Sequence, residues 1–148
     1  MTTTTPPLNP RVIALAHYAS RAVLENVLAR HGVTFQQSVT LRFAAIAEGP
    51  VERAGLVGDV VGALKTERAE AGAVVDELLA AGLLSGAGPS LVGITEAGRA
   101  LHERTSAETA PVSARIYADL PEEDLAAAGR VLSLITERAN AELAAGAA

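Results

Sequence analysis

His17 and Arg21 stand four residues apart in an otherwise mostly apolar stretch running from Asn9 to about His31. On a helix, positions i and i+4 share a face. An imidazole and a guanidinium would therefore stand together, with Tyr18 beside them. Histidine is the residue type that changes charge near neutral pH, so His17 is the candidate general acid or base. Arg21 also precedes Glu25 by four, the spacing of an ordinary surface ion pair. The next helical stretch adds Gln36, Gln37 and Arg42. A concave apolar site with a few convergent polar groups is the usual small-molecule site. His17, Tyr18, Arg21, Gln36, Gln37 and Arg42 are therefore the candidate ligand-binding set, although each taken singly reads as a satisfied, partly buried polar group.

Other chemistry is largely excluded. The chain has no Cys, which removes disulfides, thiolate metal sites and a thiol nucleophile. His17 and His31 are separated by roughly 21 Å along one helix, too far to share a metal within a protomer. His102-Glu103 lacks the rest of a ligand set, and Gly86-Ala87-Gly88 lacks both the third Gly of a dinucleotide fingerprint and a Gly-Lys-Ser/Thr. No metal and no cofactor are expected. An enzyme on this chain would be free of both, and no nucleophile accompanies His17.

The elements that must position these residues are helical. The 148 residues suffice for a domain burying roughly 68–70% of its unfolded surface. Hydrophobic residues make up 49% and aromatics only 3%, so the core is Ala, Leu and Val, which favours close-packed helices. No apolar run approaches a membrane span of about 18 residues. The opening MTTTTPPLNP lacks the basic and apolar regions of a secretory signal, so a cytoplasmic location is expected.

Residues 1–8 read as a flexible arm, and 9–148 as a single domain. Asn9 and Pro10 open a first helix that stops at Gly32. Thr34 with Gln37 forms a capping-box pattern for the second, over Val33–Ala47. The centre of the chain is Asp59–Thr95. A short helix over Val57–Leu64 leads to a turn at Lys65–Glu67, then a helix over Arg68–Ala81. Two β-type segments, Leu83–Ser85 and Leu91–Ile94, flank a Gly/Pro turn. Helix, turn, helix and ribbon make a winged helix-turn-helix, spanning about 33–99. Thr95 caps a further helix, with an interruption expected at Pro111, and Asp119–Asp124 signals the start of the last. There Leu125, Ala128, Leu132, Ile135 and Ala139 follow at spacings of 3, 4, 3 and 4, a two-heptad seam. Helices at about 9–32 and 100–145 are thus the expected dimerisation region of a homodimer.

Four local patterns in register resemble the MarR family of winged-helix regulators over nearly the whole chain. Gly32-Val33-Thr34 with Gln37 and Leu41 resembles "G-L-T-x-x-Q-x-x-x-L". Val74–Leu84 resembles "L-V-D-x-L-x-x-x-G-L-V", Ile94–Gly98 resembles "L-T-E-x-G", and Leu120–Leu125 resembles "L-S-E-E-E-L". The resemblance implies a mostly α fold with a small β-wing and a homodimer that binds palindromic DNA. It also implies release of that DNA when a small, often aromatic or phenolic, ligand enters between the dimerisation helices and the winged domain. Lys65, Thr66, Arg68 and Arg53 are the candidate DNA contacts.

The DNA-reading surface departs from that pattern. Its groove-facing positions are Ala69, Glu70, Gly72 and Ala73, and Ala and Gly side chains cannot hydrogen-bond a base edge. The wing tip, Ser85–Ser90, has no charge and lacks the family's minor-groove Arg. Between Val33 and Ala100, Arg42, Arg53, Lys65, Arg68 and Arg99 face eight acids, a net charge of −3. Phosphate neutralisation supplies nearly all non-specific DNA affinity. Two functions follow as expectations. One is a ligand-responsive regulator with weakened DNA contacts. The other is a scaffold turned away from DNA, binding or transforming a small organic molecule in the interhelical pocket.

Overall fold

A computed structural model describes residues 4–147; part of the expected N-terminal arm, residues 1–3, lies outside the described residues. The elements run α1 (Pro10–Ala29), α2 (Phe35–Ile46), β1 (Val51–Glu52), α3 (Arg53–Leu64), α4 (Arg68–Ala80), β2 (Leu84–Gly86), β3 (Leu91–Ile94), α5 (Glu96–Tyr117) and α6 (Glu122–Gly146). Contacts divide the chain into two compact units, Met1–Ala110 and Pro111–Ala148. No helix among the described residues is long and apolar enough to cross a membrane.

Local chemistry sets the helix starts. Asn9 Oδ1 accepts from the Val12 amide at 2.9 Å and Pro10 takes the first helical position. The capping box of α2 is complete: the Thr34 hydroxyl accepts from the Gln37 amide at 3.1 Å, and the Gln37 side chain accepts from the Thr34 amide at 3.0 Å. Thr95 caps α5, its Oγ1 accepting from the Gly98 amide at 3.0 Å and donating to the Gly82 carbonyl at 2.7 Å.

Three boundaries differ from the sequence expectation. Helix α3 begins at Arg53 rather than Val57, without a side-chain cap at Glu52 to announce it. A short strand, β1, pairs antiparallel with β3, giving a three-stranded sheet in the order β1-β3-β2. Helix α5 continues through Pro111 without a break. An interior proline removes one donor from the i→i−4 ladder, here the bond to the Ala107 carbonyl, and its neighbours hold the helix across that gap.

The core of the first unit is aliphatic. Leu28, Leu41, Leu56, Val60, Val75, Leu78 and Leu84 are almost fully buried, with Val92 from the sheet and Leu101 from α5 among the buried cluster. Among the described residues the buried side-chain hydroxyls, on Thr40 and Thr105, bond back to backbone carbonyls of Gln36 and Leu101. In the second unit α6 has no buried residue, and Leu125, Leu132 and Ile135 of the predicted seam are exposed.

Candidate functional site

Helices α1 and α2 and the α3–α4 turn border an open cavity of about 440 Å³ within the first unit. Its lining includes His17, Arg21, Phe35, Gln36, Lys65, Thr66, Glu67 and Glu70, with Ala63 and Leu64. The volume falls within the range of small-molecule sites, about 300–1,000 Å³. Spacing on α1 puts His17 and Arg21 on one wall. Arg21 is held in place: its guanidinium lies 4.1 Å from the Phe35 ring centroid, and its Nε donates to Glu25 Oε1 at 3.1 Å. A cation over an aromatic face is attracted by the ring quadrupole. The imidazole of His17 is exposed and lies 6.0 Å from the Tyr18 ring, tilted by 58°.

The opposite wall is the turn of the helix-turn-helix. Lys65 sits at φ 56°, ψ 36°, the left-handed conformation that a helix more often closes with Gly. Its Nζ donates to the Gly62 carbonyl at 2.6 Å. Thr66 donates to the carboxylate of Glu70, one turn into α4. Glu67 and Glu70 bring two carboxylates to the same cavity. The lining therefore mixes a guanidinium, an ammonium, an imidazole, an amide and two carboxylates around Phe35 and Leu64, so it can hold a polar ligand with an apolar body.

Of the six candidate ligand residues, the cavity brings together His17, Arg21 and Gln36. Tyr18 does not line it and is 65% exposed. Gln37 is occupied by the capping box and by Glu77, to which its Nε2 donates at 2.9 Å. Arg42 lies 5.8 Å from the Phe43 ring and faces a separate cavity bounded by Leu24, Leu28, His102 and Thr105. Sequence reasoning missed Phe35, Glu67 and Glu70 as lining residues. Phe35 directly follows the Thr34 cap, and that position was the available signal; the two carboxylates required the fold.

The four candidate DNA contacts are all engaged within the chain. Arg53 Nη2 lies 2.9 Å from Asp76 Oδ1 and donates to the Gly72 carbonyl at 3.1 Å. Arg68 Nη2 donates to the Ala54 carbonyl at 3.3 Å. Lys65 and Thr66 are bonded as described and also line the cavity. The exposed surface of α4 offers Arg68, Ala69, Glu70, Ala73, Asp76, Glu77 and Ala80, with Gly72 half-buried between them. Among the described residues no group of three or more His, Cys, Asp or Glu is placed to hold a metal ion.

No protein-family model and no curated protein matches the chain. Solved structures do. CouR from Rhodococcus jostii RHA1 bound to p-coumaroyl-CoA is similar at a TM-score of 0.71 and 19% identity, over 84% of this chain and 88% of that one. NadR in complex with 4-hydroxyphenylacetate matches at 0.70 and 19%, over 92% and 98%. The Mycobacterium tuberculosis MarR-family protein Rv2887 in complex with salicylic acid matches at 0.61 and 24%, over 88% and 98%. Helix order, a small antiparallel wing and these superpositions agree: the chain has the winged-helix fold of the MarR regulators.

Proposed function

We propose that the protein is a homodimeric, small-molecule-responsive DNA-binding regulator whose DNA contacts are weak. The observation that carries the reading is one shared cavity. His17 and Arg21 on α1 face the same space as Lys65 and Thr66 in the turn that opens α4. A ligand shifts an equilibrium only through differential contacts with its states. Here an anionic ligand would draw on Arg21 and Lys65 and be opposed by Glu67 and Glu70. Drawing Lys65 away from the Gly62 carbonyl would move the turn that orients α4. The structural neighbours were captured with p-coumaroyl-CoA, 4-hydroxyphenylacetate and salicylic acid, each carrying an oxygenated aromatic ring. A ligand of that class suits a cavity with Phe35 and a stacked Arg21.

A second reading rests on a separate observation: Arg53, Lys65, Thr66 and Arg68 each donate a hydrogen bond inside the chain. On that reading the scaffold has left DNA and binds or transforms a small organic molecule in the cavity, with His17 as the acid–base group. Binding to duplex DNA, including the protein's own upstream region, at about 50 and 200 mM salt separates the two, because phosphate contacts lose orders of magnitude across that range. Sequence-selective binding that 4-hydroxyphenylacetate or salicylate weakens supports the regulator. No binding at low salt from a folded dimer removes it in favour of the second reading.

A further inference from the structure

A second cavity, of about 470 Å³, lies on another side of the first unit. The end of α1, the end of α4 and the first turns of α5 bound it, and it shares no lining residue with the His17 cavity. Val33, Leu78, Leu83 and Leu101 supply apolar walls. Two cationic or potentially cationic side chains, His31 and Arg104, and the amide of Gln37 complete the lining.

The partners of the charged groups around it are uneven. Glu77 accepts from Gln37 at 2.9 Å. Glu108 Oε2 lies 3.2 Å from Arg30 Nη2 and 3.1 Å from His31 Nε2. The His31 contact is within ion-pair distance but out of hydrogen-bond alignment, so this buried nitrogen has no aligned partner. Arg104 precedes Glu108 by four on α5, yet Glu108 is turned to Arg30 and His31. Arg104 makes no ion pair or hydrogen bond among the described residues. Glu77 and Glu108 are thus already taken, while the Arg104 guanidinium stands at this cavity without a partner among the described residues.

We propose that this cavity is a second small-molecule site that takes a compact organic monocarboxylate, its carboxylate on Arg104 and its hydrocarbon body against Leu78, Leu83 and Leu101. A guanidinium matches a carboxylate with two parallel donors. Leu78 lies near the end of α4, so occupancy here bears on α4 from the end opposite the His17 cavity.

The test uses hexanoate and its neutral analogue hexanamide, titrated into the full-length protein and followed by amide chemical shifts. Hexanoate shifts the resonances of Leu78, Leu83 and Leu101 and saturates in the roughly millimolar range open to a ligand of eight non-hydrogen atoms. Hexanamide binds about tenfold more weakly, the worth of one charge-assisted hydrogen-bonding interaction. Arg104→Gln, at an exposed position, lowers hexanoate affinity to the hexanamide level. Ala97→Phe, which places a ring into the cavity from its exposed rim, abolishes binding of both, and His17→Ala changes neither. Equal hexanoate affinity for the wild type and Arg104→Gln overturns the proposal. So does the absence of saturable shifts, and so does loss of binding in His17→Ala, which would assign hexanoate to the first cavity.

Discussion

Arg53, the first residue of α3, is clamped to Asp76 in α4, with Nη2 2.9 Å from Oδ1. The same nitrogen donates to the Gly72 carbonyl. A cation available by sequence for a phosphate is therefore folded back onto the face of α4. Asp76→Asn should loosen it and raise affinity for duplex DNA. The log–log salt dependence should steepen by up to about 0.9, the contribution of one phosphate contact. Removing an acid raises affinity in itself, so the deciding comparison is Arg53→Gln/Asp76→Asn. If the gain runs through Arg53, the double variant returns to the salt slope of the parent; a slope that stays steep would show that Arg53 contributes nothing.

Gly98 explains why the segment after the wing carries a glycine. A Cβ built there would lie 2.1 Å from the Leu83 carbonyl oxygen and 2.9 Å from Ile94 Cγ1. The Leu83 oxygen also accepts from the Thr95 amide at 3.1 Å, so backbone on both sides fixes the approach. Gly98→Ala should destabilise by about 3 kcal/mol or more, at or above the upper end of overpacking penalties. Ala at the open Gly129, inside α6, should instead stabilise by roughly 0.5–1 kcal/mol. Urea unfolding midpoints check both; a Gly98→Ala protein as stable as the parent would refute the close approach.

The contrast between these positions shows what the sequence made legible. Helix starts with a local chemical signal, Asn9-Pro10 and Thr34 with Gln37, could be read because their causes lie within three residues. The start of α3 and the strand β1 could not. Glu52 makes no cap bond, and β1 exists only because β3 pairs with it. The cavity divides in the same way. His17 and Arg21 share a face by helix period, and Gln36 opens the next helix. Glu67, Glu70 and Lys65 reach the same space only through the packing of α1 and α2 beside the α3–α4 turn. Tyr18 and Gln37 are each one residue from a lining position, and about 100° of helix turn per residue separates them from it.

The seam of α6 bears on assembly. Leu125, Leu132 and Ile135 recur at heptad spacing and remain exposed, with Val131, Leu134 and Leu143 also uncovered. Apolar surface of this extent on a helix calls for a partner, and a second copy presents the same seam. Leu132→Glu/Ile135→Glu should convert the proposed dimer to a monomer while the helical circular dichroism of the protein persists. Sedimentation velocity reads the outcome. A variant that sediments as the parent does would remove this face from the interface.

Acid should reveal the contact between α1 and α5. The His31 side chain is the largest cause lowering the Glu108 pKa below its ordinary 4.5; desolvation opposes it and the Arg30 guanidinium adds to it. A carboxylate with a depressed folded pKa is protonated first in the unfolded chain. Its stabilising contribution is therefore present above about pH 4.5 and is lost as pH falls through the lowered folded value. Glu108→Gln has no such proton to take up. The stability difference between the two proteins should shrink on acidification below about pH 4.5, until the carboxylate is protonated in both states. Because Glu108 is largely solvated, the difference should be small and further reduced by salt. Urea midpoints taken between about pH 3 and 7 provide the measurement. Parallel pH profiles for the two proteins would mean that Glu108 contributes no pH-dependent stabilisation through His31 and Arg30.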